Sequence, residues 1–270
     1  MKLAKVFTKK EVVAVICCAG FLIANLGAIG AHGRRKAKEI ICLSNLQNWG
    51  FVFLNYASDN NGYLFEHKSG YGEAPDTPYW YVLLKPYYGA TKLLLCPEAT
   101  LPTLDASGNA TGAVQPFAAW GIIPEGWNIP PGYYGSYGLN YWVCNENTEP
   151  YWQSANVPEA DTVPVLADCW FTCSIALDWC PPPPYNGHID ATDSGQMGRY
   201  CLNRHEGKIN SVFLDGSARK VGLKELWALR WSRVFDTSNA YTIAGHGGDS
   251  AACKEVWDSV APWMSNMPEY

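Results

Sequence analysis

Three groups of residues in this sequence could do chemistry. His205 is followed after nine residues by Asp215-Gly216, in the stretch NRHEGKINSVFLDGSAR. A histidine beside a carboxylate can serve as a general base. Nine residues of strand, however, would separate the two by about 30 Å. Asp168, at the end of a different strand, is therefore the better partner for His205, and the expected role of the pair is a hydrogen bond that fixes a loop entry. Cys169-x3-Cys173 has loose metal-ligand spacing, but no matching Cys or His pair follows closely. Asp190 and Asp193 could bind calcium, although a full ligand set is missing around them. Neither Gly-x-Ser-x-Gly nor His-Glu-x-x-His accompanies these residues. The expectation is a protein that is not an enzyme, with no catalytic residue, no metal and no cofactor.

The elements that must position these residues can be read from period and punctuation. Ile40, Ile41, Leu43, Leu46, Trp49, Phe53, Leu54 and Tyr56 recur at roughly helical spacing from Arg34 to Ser58, a stretch without proline. The helix should stop at Asp59-Asn60-Asn61-Gly62. A short helical piece, YWYVLLKPYYG, is cut by Pro86, and KLLLC (Lys92–Cys96) reads as a short buried strand. Ser136–Val143 and Val163–Ala167 are strands. Residues 98–135 and 180–200 read as long loops. Ile209–Leu214 and Ser217–Val221 form a hairpin turning at Asp215-Gly216, a pair favoured where both turn positions need positive φ. Leu223–Phe235 reads as an amphipathic helix, and Ala252–Met264 as a second helical patch.

Composition sets the surroundings. Val12–Ala31 is twenty residues without a charge, long enough at ~1.5 Å per residue to cross a bilayer core. It is preferred to a cleaved secretory signal, whose apolar region would be shorter. Residues 1–38 hold eight Lys or Arg against one Glu, so the other 232 carry a net −12 within a chain total of −5. An acidic head is a poor match for phosphate backbones, so no nucleic-acid partner is expected. Of ten cysteines, eight lie beyond the apolar stretch and read as a disulfide framework of undetermined pairing: Cys42, Cys96, Cys144, Cys169, Cys173, Cys180, Cys201 and Cys253. Twelve Trp and sixteen Tyr supply core, with surface stacking on sugar rings as the alternative use.

Several landmarks occur in a familiar order. FTKKE (Phe7–Glu11), CLSNLQNWG…YASDNNGYL (Cys42–Leu64), LLCPEA (Leu94–Ala99), SYGLN (Ser136–Asn140), LADCW (Leu166–Trp170) and His205-x9-Asp215-Gly216 resemble the type IV pilin-like and pseudopilin proteins of the planctomycete type named for that last motif. The resemblance implies an α+β, type IV pilin-like fold, one long N-terminal helix packed on an antiparallel sheet. It implies peptidase cleavage between Val6 and Phe7, methylation of Phe7, and Glu11 pairing with a neighbour's N-terminus. Here the sequence departs from the pattern, with Val6 where such proteins carry Gly. The resemblance also implies a Cys42–Cys96 disulfide, and Asp168, His205, Asp215 and Gly216 as family motif residues. The expected organisation is a cytoplasmic tip and transmembrane helix (1–33), a stalk helix (34–58), a head (59–236) and a tail packed on it (237–270). The expected protein is a membrane-anchored structural subunit of a pilus or secretion-type machine, single-pass in the inner membrane, with its head in the periplasm or at the cell surface. Its partners would be like subunits and an inner-membrane platform. The alternative is an anchored surface protein that binds carbohydrate or another surface ligand through exposed aromatics.

Overall fold

A computed structural model describes residues 9–66, 79–107, 115–121, 133–188 and 196–268. Val6 and Phe7 lie outside these residues, as do Asp190 and Asp193, and Glu11 falls within the first helix. The chain divides into two compact units, Met1–Lys38 and Glu39–Tyr270.

The long helix α1 runs Lys9–Asp59. It ends where expected: Asn60 Nδ2 donates back to the Tyr56 carbonyl, and the Gly62 N–H reaches the Ala57 carbonyl at 2.7 Å. Its membrane role needs correction. Among the described residues no helix is long and apolar enough to cross a membrane. The transmembrane segment and the single-pass inner-membrane location expected from this stretch are therefore set aside.

Within Glu39–Tyr270, α1 buries Cys42, Leu46, Trp49, Val52, Phe53 and Ala57, one stripe at helical spacing. Trp49 is the centre of that stripe, its ring 5.1 Å from Trp80 and 4.8 Å from Tyr88. Trp80 belongs to the short helix α2 (Trp80–Leu83). KLLLC does not form a strand; Thr91–Leu94 is a 3-10 turn. It carries the Leu93 carbonyl to the Trp49 indole N–H at 2.8 Å.

Five strands make one sheet: β1 (Tyr137–Asn140), β2 (Pro164–Asp168), β3 (Cys173–Ser174), β4 (Lys208–Phe213) and β5 (Ala218–Gly222), in the order β3-β1-β2-β4-β5. The expected all-antiparallel, pilin-like sheet is also corrected, because β3 pairs with β1 in parallel. After β2 the chain crosses β1 and lines its far edge. It can do so because Gly138 has no side chain; a Cβ there would stand 2.6 Å from Cys169 Sγ and 2.7 Å from the Phe171 carbonyl. The fold is α+β with a mixed sheet.

The β4–β5 connection also differs from expectation. The Phe213 N–H reaches the Ser217 carbonyl, and the Gly216 N–H returns to the Phe213 carbonyl, both at 2.8 Å. Gly216 alone takes a positive φ, +83°, so the link is a three-residue turn closed by glycine. Leu223–Phe235 is not a continuous helix; only Lys224–Ala228 turns, as 3-10. α3 (Ser250–Val260) is capped by Asp249, whose Oδ1 accepts from two helix N–H groups. It sets Trp257 edge-on to Trp227 at 5.3 Å.

Candidate functional site

Four side chains from distant parts of the chain meet in the interior beneath α1. Cys42 comes from the buried stripe of α1. Cys96 follows the Thr91–Leu94 turn, and its backbone N–H donates to Ser136 Oγ. Asp168 ends β2, and His205 precedes β4. One potential ligand atom from each lies within 4.8 Å of those of the other three, and all four residues are buried.

Close contacts define the geometry. Cys42 Sγ lies 3.7 Å from both oxygens of Asp168. Cys96 Sγ lies 3.5 Å from His205 Nε2. The same Nε2 lies 3.2 Å from Asp168 Oδ2. Arg204 is wholly buried beside them. Its guanidinium donates to Asp168 Oδ1 at 3.3 Å and to the carbonyls of Pro116, Ser136, Ala118 and Cys169. The Asn210 N–H donates to Asp168 Oδ2 at 2.9 Å, and the Tyr137 hydroxyl donates to Cys42 Sγ at 3.3 Å.

This environment moves each proton affinity. Burial alone would raise the Asp168 carboxyl, but His205, Arg204 and the Asn210 N–H hold it down to about 2. Burial alone would lower His205, but the Asp168 charge and hydrogen bond, with Cys96, hold it up to about 10. Burial works against ionising Cys96 too, yet hydrogen bonds from Cys42 and His205 leave its thiol below the usual value. Cys42 goes the other way: burial, its bond to Cys96 and the Asp168 charge push it well up. The cluster thus packs two cysteine sulfurs and a histidine against a carboxylate held by a guanidinium. Chemically it can hold a cation, or oxidise to a disulfide.

His205 therefore meets Asp168 and not Asp215. Asp215 accepts from the N–H and hydroxyl of Ser217, a purely local turn contact. Gly216 has a separate task. A Cβ on Gly50 of α1 would stand 2.3 Å from the Gly216 carbonyl, and Gln47 Nε2 donates to that oxygen at 2.8 Å. The Asp-Gly turn is where the hairpin docks on the helix.

The implied Cys42–Cys96 disulfide is not formed, and both sulfurs are thiols. They sit around the His205–Asp168 pair instead of facing each other alone. Cys144, Cys169 and Cys201 are also thiols. Burial pushes Cys169 up to about 12, and raises Cys144 and Cys201 as well. Cys169-x3-Cys173 takes no part in the four-residue cluster. Sequence reasoning missed the cluster as a whole, along with Arg204, Tyr137 and Asn210. One signal was present: CLSN, LLCPEA, SYGLN, LADCW and His205 each contribute a polar group to this single point.

Comparison with protein-family models, curated proteins and solved structures found no match for this chain.

Proposed function

We propose that this protein is a non-enzymatic structural subunit that assembles with like subunits through α1, in the manner of the pilin-like and pseudopilin proteins its landmarks resemble. The observation that carries this reading is that α1 is apolar on two sides. Opposite the stripe that fills the core, Ile40, Ile41 and Phe51 stand exposed at 58, 51 and 56%, with Leu54 beside them. Ile40 and Phe51 share one face at 100° per residue, about 17 Å apart, with Ser44 and Gln47 between them and Leu54 against Gly216. Exposed apolar side chains on a rigid helix suit helix-to-helix packing with a second copy. The interior cluster supports a structural role too, because its imidazole uses one nitrogen for both Cys96 and Asp168. A nucleophile–base–carboxylate relay needs one ring nitrogen for each.

Sugar binding through aromatics has less support. Tyr79, Trp80 and Tyr81 of PYWYVLL, and Tyr137 and Tyr141 of GYYGSYGLNYW, are buried in the core, although Tyr134, Trp179 and Tyr185 stand exposed.

Sedimentation analysis over a range of concentrations tests the reading. Reversible association should appear and be lost in Phe51→Glu, with the circular dichroism spectrum unchanged. A protein that stays monomeric throughout, or associates equally well as Phe51→Glu, would overturn it.

A further inference from the structure

We propose that Cys42, Cys96, Asp168 and His205 bind one zinc ion, which clips α1 to the sheet. The donor spacing carries the inference. Tetrahedral zinc holds sulfur at about 2.3 Å and nitrogen or oxygen at about 2.0–2.1 Å, so neighbouring donors stand about 3.5 Å apart for sulfur–nitrogen and sulfur–oxygen edges. A nitrogen–oxygen edge is about 3.3 Å by the same geometry. The observed edges are 3.5 Å for Cys96 Sγ to His205 Nε2, 3.7 Å for Cys42 Sγ to Asp168 and 3.2 Å for His205 Nε2 to Asp168 Oδ2. These three distances match three edges of a zinc tetrahedron.

Donor type and charge agree with the geometry. Two thiolates and an imidazole select a borderline-soft ion of tetrahedral habit over magnesium or calcium, which prefer oxygen. With two thiolates, one carboxylate, a divalent cation and the Arg204 guanidinium, the buried cluster has no net charge, as a group shut away from water requires. Binding releases the Cys42 proton, and the one shared by His205 Nε2 and Cys96, to solvent. No electron is transferred. The supporting shell is built as well: Arg204 holds Asp168 Oδ1, the Asn210 N–H orients Oδ2, whose other lone pair faces the metal position, and the Tyr137 hydroxyl donates to Cys42 Sγ. All four ligands are closed off by protein, the arrangement of a structural zinc site and not of a catalytic one. A disulfide between Cys42 and Cys96 would use the sulfurs and exclude the ion, so the two states are alternatives.

The test is to prepare the full chain under reducing, chelated conditions and add zinc or cobalt. One equivalent of zinc should bind by elemental analysis. Cobalt should show tetrahedral visible bands with thiolate charge transfer. Cys42→Ser and Cys96→Ser should each weaken zinc by more than the roughly 10–100-fold typical of a supporting residue. Cys144→Ser should bind normally. Because a ligand variant could fail to fold, alkylation of the unaltered protein gives a second measure: zinc should protect Cys42 and Cys96 selectively, and a chelator should expose them. The proposal fails if binding is substoichiometric, if both serine variants keep full affinity, if cobalt is octahedral, or if unreduced protein yields a Cys42–Cys96 peptide.

Discussion

Gly50→Ala sets two effects of opposite sign against each other. Alanine is the better helix former by about 1 kcal/mol, so on helical propensity alone the variant should be more stable. The structure predicts the reverse. The new methyl would lie 2.3 Å from the Gly216 carbonyl oxygen and 3.0 Å from its carbon, where an ordinary carbon–oxygen contact is about 3.3 Å. The obstacle is backbone, which no rotamer change can remove, so the hairpin must retreat from α1 by about 1 Å. Overpacking of this kind costs about 1–3 kcal/mol. Retreat also lengthens the 2.8 Å bond from Gln47 Nε2 to Gly216, worth about 1 kcal/mol. After the propensity gain, a net loss of about 1–3 kcal/mol remains. At ~2–4 °C per kcal/mol, the melting temperature should fall by several degrees. Gly33→Ala is the control, since nothing stands within 4 Å of that Cβ, and it should be neutral or slightly stabilising. If Gly50→Ala melts at or above the unaltered protein, the docking argument is wrong.

Other outcomes can be checked alongside. Arg204→Met should cost roughly 3–5 kcal/mol in urea unfolding, because Asp168 keeps a buried charge without its partner and four carbonyls lose a donor. Arg204→Lys should not restore it, since a single ammonium cannot span those acceptors. Asp215→Ala should cost only about 0.5–1.5 kcal/mol, the worth of a local turn contact. In metal-free, reduced protein, stability should depend on pH through the His205–Asp168 pair, with Cys42, Cys96, Tyr137 and Arg204 facing it. His205 is raised from 6.5 to about 10, so its contribution is complete below about 6.5 and is lost as pH climbs towards 10. Asp168 is lowered from 3.8 to about 2, so its contribution is complete above 3.8 and is lost as pH falls towards 2. Urea midpoints across pH should trace a maximum between these limits, and a midpoint that keeps rising above pH 6.5 would contradict the pairing.

Much of the local structure was legible in the residues. The stop of α1 at Asp59 followed from Asn-Asn-Gly, and the β4–β5 pairing from alternation around Asp-Gly. The membrane reading rested on a count of uncharged residues alone, and among the described residues no helix is long and apolar enough to cross a membrane. The parallel β3 edge depended on Gly138 making room for a crossing loop, a tertiary fact that no periodicity records. KLLLC and LKELWALRWSRVF misled for a related reason, since apolar runs fit strand, helix and 3-10 turn alike, and packing chose among them. The cluster was invisible to spacing rules because those rules look for ligands close in sequence. Cys42 and Asp168 are 126 residues apart, and Cys96 and His205 are 109 apart.

Those separations bear on the order of folding. A centre assembled from positions 42, 96, 168 and 205 cannot be completed by any segment acting alone, or by β2, β4 and β5 together. It closes only when α1 is laid against strands that follow it by more than a hundred residues. Contacts of such range are slow to form, because the loops between them must first be ordered. Docking of residues 39–59 of α1 is therefore expected to be a late event, leaving the apolar residues of the helix uncovered on both sides until the head is nearly built. Burial of its thiols is then expected only in chains where α1 has met β2 and the start of β4.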